Sequence, residues 1–128
     1  MNDQQSENIM DGLDLAYAAR SYSIGIPGRS VCNARNHHWV AENSGGESIG
    51  AGELFCASIS ACAVNMVETI AKNEGKDLAG LEVNVSLYRN KNKPSGKVAL
   101  YDAVRVNFEL WGVSSEDAKY FVKAWKQR

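Results

Sequence analysis

Between Gly50 and Ile70 the chain runs through Glu53-Leu54-Phe55 into a long apolar segment that carries Cys62. Taken as a helix, this segment is hydrophobic on nearly every side, through Leu54, Phe55, Ile59, Val64, Met66, Val67 and Ile70 with alanines between them. A helix that is apolar all round belongs in the centre of a fold or in a membrane. Here Glu53, Ser58, Ser60, Asn65 and Glu68 interrupt it, which argues against a span of about 20 apolar residues. The expectation is a buried central helix. Cys62 is then either packing material or a shielded reactive thiol.

The rest of the chain narrows what surrounds that helix. Its 128 residues suit one domain with a single core. Residues 1–12 are polar and acidic, without the basic start and apolar run of a secretory signal. They are expected to form a flexible tail, leaving residues 13–128 as the domain. Charge is nearly balanced, with 14 basic and 15 acidic residues and no basic stripe. No nucleic-acid or membrane partner is therefore expected. Cys32, Cys56 and Cys62 form no even set and no Cys-x-x-Cys pair, so reduced thiols in a cytoplasmic protein are expected.

Residues 13–26 and 30–42, separated by the Gly25-Ile26-Pro27-Gly28 turn, predict a hairpin. A glycine-rich loop over residues 43–50 leads into the helix, which is expected to stop near Gly75. Leu81, Val83, Val85 and Leu87 alternate with polar residues as a half-buried strand does, and so do Val104, Val106, Phe108 and Leu110. Between these strands, residues 90–97 predict a charged turn. Ser114, three residues before Asp117, predicts an N-cap, after which Ala118, Phe121, Val122 and Trp125 recur at helical spacing. Strands, helix, strands, helix is the order of an α+β domain with an antiparallel sheet. A sheet with helices on one face cannot enclose a helix that is apolar on every side, so pairing with a second copy is expected.

The run Glu53-Leu54-Phe55-Cys56-Ala57-Ser58-Ile59-Ser60-Ala61-Cys62 resembles the Glu-Leu-Leu block and Ala-Cys pair of the OsmC/Ohr family, the osmotically inducible and organic hydroperoxide resistance proteins. Lys72-Asn73-Glu74-Gly75, the strand opening at Leu81-Glu82-Val83 and the Ser114–Ala118 run are similar to that family in order and spacing. The resemblance covers about residues 22–128. It implies an intertwined homodimer with two central helices and active sites at the subunit interface. It also implies reduction of organic hydroperoxides by a reactive cysteine matching Cys62, assisted by an Arg and a Glu. A second cysteine and an external thiol or dithiol then regenerate it, without a metal or other cofactor. The peroxidase members carry Pro and then their catalytic Glu where this chain has Ala51 and Gly52, leaving Glu53 as the nearest carboxylate. Their second cysteine corresponds to a place beyond Arg128.

Attack on a peroxide needs a thiolate, so Cys62 needs a cationic neighbour. Arg20, Arg29 and Arg35 are the candidates, and Arg29 beside the Pro27-Gly28 turn is the first choice. Glu53 either orients that Arg or simply places negative charge at a helix N-terminus. Cys56, six residues before Cys62, is expected in the core and Cys32 in a strand. His37 and His38 are adjacent in a strand and face opposite ways, so they do not chelate one metal ion together. Trp39, Trp111, Phe108 and Trp125 are expected mostly in the core. The expected function is thiol-dependent reduction of organic hydroperoxides at Cys62. The alternative is a catalytically silent dimer that binds a small apolar ligand at its interface.

Overall fold

The structure, a computed structural model, describes residues 11–43, 45–92 and 101–128. The predicted tail thus lies mostly outside the described residues, and so does most of the predicted charged turn. The chain forms two compact units, Met1–Gly50 and Ala51–Arg128.

The first unit is an antiparallel meander of β1 (Arg20–Ser23), β2 (Arg29–Ala34) and β3 (His37–Glu42), in that spatial order. Ser21, Cys32 and Trp39 stand opposite one another across the three strands, as do Tyr22, Val31 and Val40. The predicted hairpin is therefore divided once more. Ala34 pairs with His37, leaving Arg35 and Asn36 as a two-residue turn with Arg35 at φ 53°. Such tight turns require a left-handed residue, and Arg is an unusual choice for it, which is why alternation alone joined the two strands. Residues 13–19 form no strand.

The second unit holds helix α1 (Ala51–Asn73), the hairpin of β4 (Gly80–Tyr88) and β5 (Ala103–Trp111), and helix α2 (Ser115–Lys126). Val83 faces Phe108 and Val85 faces Val106 across the hairpin, so the alternating apolar residues share one face. That face meets the helices in a core of Val67, Ile70, Ala71 and Phe121, with Leu81, Phe108, Leu110 and Trp125 packed against it. Phe108 and Trp125 meet edge to face, their ring centres 5.2 Å apart. Both ends of the helical pair carry the predicted caps. The Asp117 N–H donates to Ser114 Oγ at 3.1 Å, satisfying one orphan donor of α2. Gly75, at φ 67°, turns the chain out of α1, while the Lys76 N–H donates to the Ala71 carbonyl at 2.9 Å.

Helix α1 is present as predicted, but its burial within the unit is one-sided. Ala63, Val67, Ile70 and Ala71 are buried, spaced as one line down a helix. Within its own chain Cys62 is exposed, so this chain's fold alone neither packs nor shields the thiol. The cause is angular: each residue turns the helix by about 100°, so Cys62 lies off the line that Ala63 and Val67 define. Cys56, expected in the core, is half-buried; it precedes Ala63 by seven residues and lies near the same line, two turns earlier. The 23-residue helix is long and apolar enough to cross a membrane by composition alone, yet its buried line packs within its own unit.

Candidate active site on helix α1

Helix α1 holds two of the three predicted site residues. Glu53 and Cys62 are nine residues apart on one regular helix. At about 3.6 residues per turn and 1.5 Å per residue they are half a revolution out of phase and about 13.5 Å apart along the axis. A single copy of the helix therefore cannot aim both at one atom.

Around Cys62 the surface is more apolar than the sequence reads. The Ser58 hydroxyl donates to the Phe55 carbonyl at 2.7 Å, and the Ser60 hydroxyl to the Ala57 carbonyl at 3.1 Å. Thr69 likewise donates to the Asn65 carbonyl at 2.8 Å. These side chains spend their donors on their own helix, while Glu53, Asn65, Glu68 and Lys72 stand exposed among the apolar positions. Phe55 is 46% exposed.

At the start of α1 the structure shows a cluster that the sequence did not. A side chain at Gly52 would place its Cβ 2.6 Å from the Tyr101 hydroxyl, so the absence of one at Gly52 admits the phenol. Tyr101 stacks on Phe55 at 6.1 Å between ring centres, and the Arg89 guanidinium sits 5.1 Å from the Tyr101 ring centre. Nothing in the spacing of Gly52, Arg89 and Tyr101 signals this meeting, which follows from how the β4–β5 hairpin returns beside the helix.

Arg29 belongs to the first unit, where it opens β2 and stands opposite Glu42. Its guanidinium forms an ion pair with the Glu42 carboxylate. That carboxylate, whose side chain is only 7% exposed, also accepts the Ser48 N–H at 2.9 Å. The Ser48 N–H and then Arg29 hold Glu42 below the usual carboxylate range, against an opposing push from burial. A carboxylate with a lowered folded pKa stabilises the fold above its unfolded value, and that stability goes as pH falls through the folded value. Attachment of Ser48 to Glu42 should therefore hold above about pH 4.3 and weaken below it. The protection of the Ser48 amide, measured against the exchange rate of an unstructured chain at the same pH, should fall with acid, and Glu42→Gln should abolish that fall.

The other candidate cations have their own settings. Arg20 lies 5.1 Å from the Tyr22 ring centre, and Arg35 occupies the left-handed turn between β2 and β3. Cys32 is buried and accepts the Ser21 hydroxyl at 3.1 Å. All three cysteines are free. His38 Nδ1 is 3.0 Å from Asn33 Oδ1. Among the described residues no three His, Cys, Asp or Glu side chains converge as metal ligands would. Of the aromatic residues, Phe108 and Trp125 pack against the core, whereas Trp111 is 48% exposed.

Comparison with known proteins agrees with this architecture. No curated protein matches the sequence. Among solved structures, an OsmC-like protein from Mycoplasma pneumoniae is similar with a TM-score of 0.77 and 14% identity, over 91% of this chain and 84% of that one. An organic hydroperoxide resistance protein from Elizabethkingia anophelis aligns at 0.67 and 15% identity, over 91% and 84%. A further organic hydroperoxide resistance protein, OsmC of Legionella pneumophila, aligns at 0.64 and 14% identity, over 88% and 83%. At these identities the likeness shows the fold alone. The sequence supplies the rest, because the family model described as OsmC-like protein matches residues 44–128. That stretch carries α1 with Cys62, the β4–β5 hairpin and α2, and on this match the chain belongs to the OsmC-like family.

Proposed function

We propose that this chain is a homodimeric, cytoplasmic, thiol-dependent peroxidase that reduces organic hydroperoxides at Cys62. The observation that carries the reading is Cys62 itself: a free thiol, exposed on a family-matched helix. The Cys62 thiolate attacks the distal oxygen of the hydroperoxide and forms an S–O bond as the O–O bond breaks. The alkoxide takes up a proton and leaves as an alcohol, and Cys62 is left as a sulfenic acid. One external thiol condenses with that sulfenic acid, releasing water and forming a mixed disulfide. A second thiol displaces it, returning Cys62 and a small-molecule disulfide.

Arg29 is the proposed cation for the thiolate, and Glu53 the carboxylate that orients the cation. Because Glu53 and Cys62 point to opposite sides of one helix, Glu53 of one protomer serves Cys62 of its partner. Phe55 and Cys62, both exposed and seven residues apart on one side of α1, support such pairing, since exposed apolar side chains grouped on a helix mark an interaction surface.

The test is steady-state turnover of cumene hydroperoxide with dithiothreitol, followed by weighing the intact protein. Turnover should be slow, and without a dithiol one or two oxygens should accumulate on Cys62. No turnover together with saturable binding of an apolar ligand would replace this reading with the silent, ligand-binding dimer. Rapid formation of a Cys62–Cys32 disulfide would show that the chain resolves its own intermediate.

A further inference from the structure

One groove of the second unit is cationic without a counter-charge. It runs between β5 and α2 and holds about 670 Å³, and no residue of α1 or β4 lines it. Val106, Phe108 and Leu110 recur at every second place along β5 and share one face. With Ala118 and Val122 of α2 they make the groove apolar, and all five are half-buried. Phe108 and Leu110 also pack against the core. Val106 and Val122 stand outside that cluster and turn apolar surface to the groove.

Lys119, Lys123 and Lys126 follow at intervals of four and three residues, which sets them in one row on α2. All three are exposed, line the groove and form no ion pair among the described residues. No Asp or Glu among the described residues lines the groove with them. Other hollows differ: the one beside Arg29 also holds Glu42 and Glu47, and the one beside Lys72 and Lys76 also holds Glu68 and Asp77. Charge matching at a helix C-terminus accounts for Lys123 and Lys126 in the last turn of α2. It does not account for Lys119, a turn earlier.

We propose that this groove binds a long-chain carboxylate, with the hydrocarbon chain along β5 and the head group on the lysine row. An apolar trough with charge on one wall suits an amphiphile, and the sign of that charge selects an anion. Lys119 and Lys126 are about 10.5 Å apart along the helix, near the screening length of about 8–10 Å, so the three ammonium groups act together on one carboxylate. The face from Val106 to Leu110 runs about 13.6 Å. A saturated chain of about twelve carbons is of similar length, given C–C bonds of about 1.5 Å. The groove's volume lies within the range of about 300–1,000 Å³ usual for small-ligand sites. Binding here forms no covalent bond and uses no residue assigned to peroxide reduction, so it stands or falls apart from that reading.

The test titrates dodecanoate, below its micelle-forming concentration, into the full chain labelled with heavy nitrogen. Saturable binding is expected, with amide shifts at Val106, Val122 and Lys123. Octanoate should bind at least about tenfold more weakly, since each buried methylene is worth about fourfold and an open groove covers about half of the chain. Dodecyltrimethylammonium has the same tail and the opposite head, and should also bind at least about tenfold more weakly at low salt. Added salt should narrow that gap. Lys119→Glu with Lys123→Glu and Lys126→Glu, all at exposed positions, should abolish the preference for the anion. Saturating dodecanoate should leave the rate of Cys62 alkylation by iodoacetamide unchanged. Absence of saturable binding overturns the proposal, and so does equal affinity for the two heads. Shifts confined to α1, or slowed alkylation of Cys62, would move the ligand to the peroxide site and overturn the groove. Sedimentation with anionic phospholipid vesicles, without binding of free dodecanoate, would make the lysine row a membrane contact and overturn it as well.

Discussion

Cys62→Ser should reduce cumene hydroperoxide turnover to the background of the reductant alone, a loss of at least about a hundredfold, as is usual when a covalent nucleophile is removed. The serine hydroxyl keeps the size of the thiol but is not ionised near neutral pH and is a poor nucleophile toward a peroxide oxygen. Because Cys62 is exposed and lies off the buried line of α1, the substitution should leave stability within about 0.5 kcal/mol of the wild type. That separation makes the result readable: lost activity with an unchanged denaturation curve assigns chemistry to the sulfur. Cys56→Ser and Cys32→Ser are the companion measurements. Both sites are more enclosed than Cys62, so these variants should retain turnover whatever they do to stability. Undiminished turnover in Cys62→Ser would remove the proposed nucleophile and with it the peroxidase reading at this position.

The difference between what the sequence disclosed and what it withheld has a physical pattern. Strands β4 and β5 were legible because one side of a hairpin is buried, so Val83, Val85, Val106 and Phe108 had to alternate. Helix α2 was legible for a similar reason, with Ser114 as cap and Phe121 at the centre of its apolar face. The turn at Arg35 was not legible, since a left-handed Arg leaves no compositional mark. The extent of α1 was readable, but not which of its sides its own unit would cover. A helix apolar all round carries no phase, and the positions of β4, β5 and α2 select Val67, Ile70 and Ala71 for burial. At the candidate site, the cysteine and the carboxylate could be named from a motif. The approach of Tyr101 to Gly52 could not, because it joins two segments far apart in sequence.

The largest stability effect should come from Phe121→Ala. Phe121 is 1% exposed and, with Val67, is among the largest fully buried side chains. It belongs to the cluster that binds α2 to the buried line of α1, with Phe108 and Trp125 beside it. Truncating a buried Phe removes its transfer free energy and leaves a cavity, together costing about 3–5 kcal/mol. Against a total of about 5–15 kcal/mol for an ordinary domain, that loss removes at least about a fifth of the stability. Urea denaturation followed by circular dichroism should show a lower midpoint with an unchanged slope, since the surface exposed on unfolding hardly changes. Tyr120→Phe, at the neighbouring position, is the control. Tyr120 is 49% exposed, and its hydroxyl donates to Glu74 at 3.2 Å on the outside of the same helix pair. Losing that bond should cost no more than about 1 kcal/mol. The two variants separate a buried ring from an exposed hydroxyl at neighbouring positions, so they weigh the core of α2 against its surface contact. Equal losses would mean that α2 is held through its surface contacts, and that the core drawn around Val67 and Phe121 does not carry the unit. A large loss at Phe121 alone would instead make α2 the support that fixes the rotation of α1. By fixing that rotation, α2 would also fix the outward aim of Cys62, and the thiol's exposure would be a property of the core beneath it.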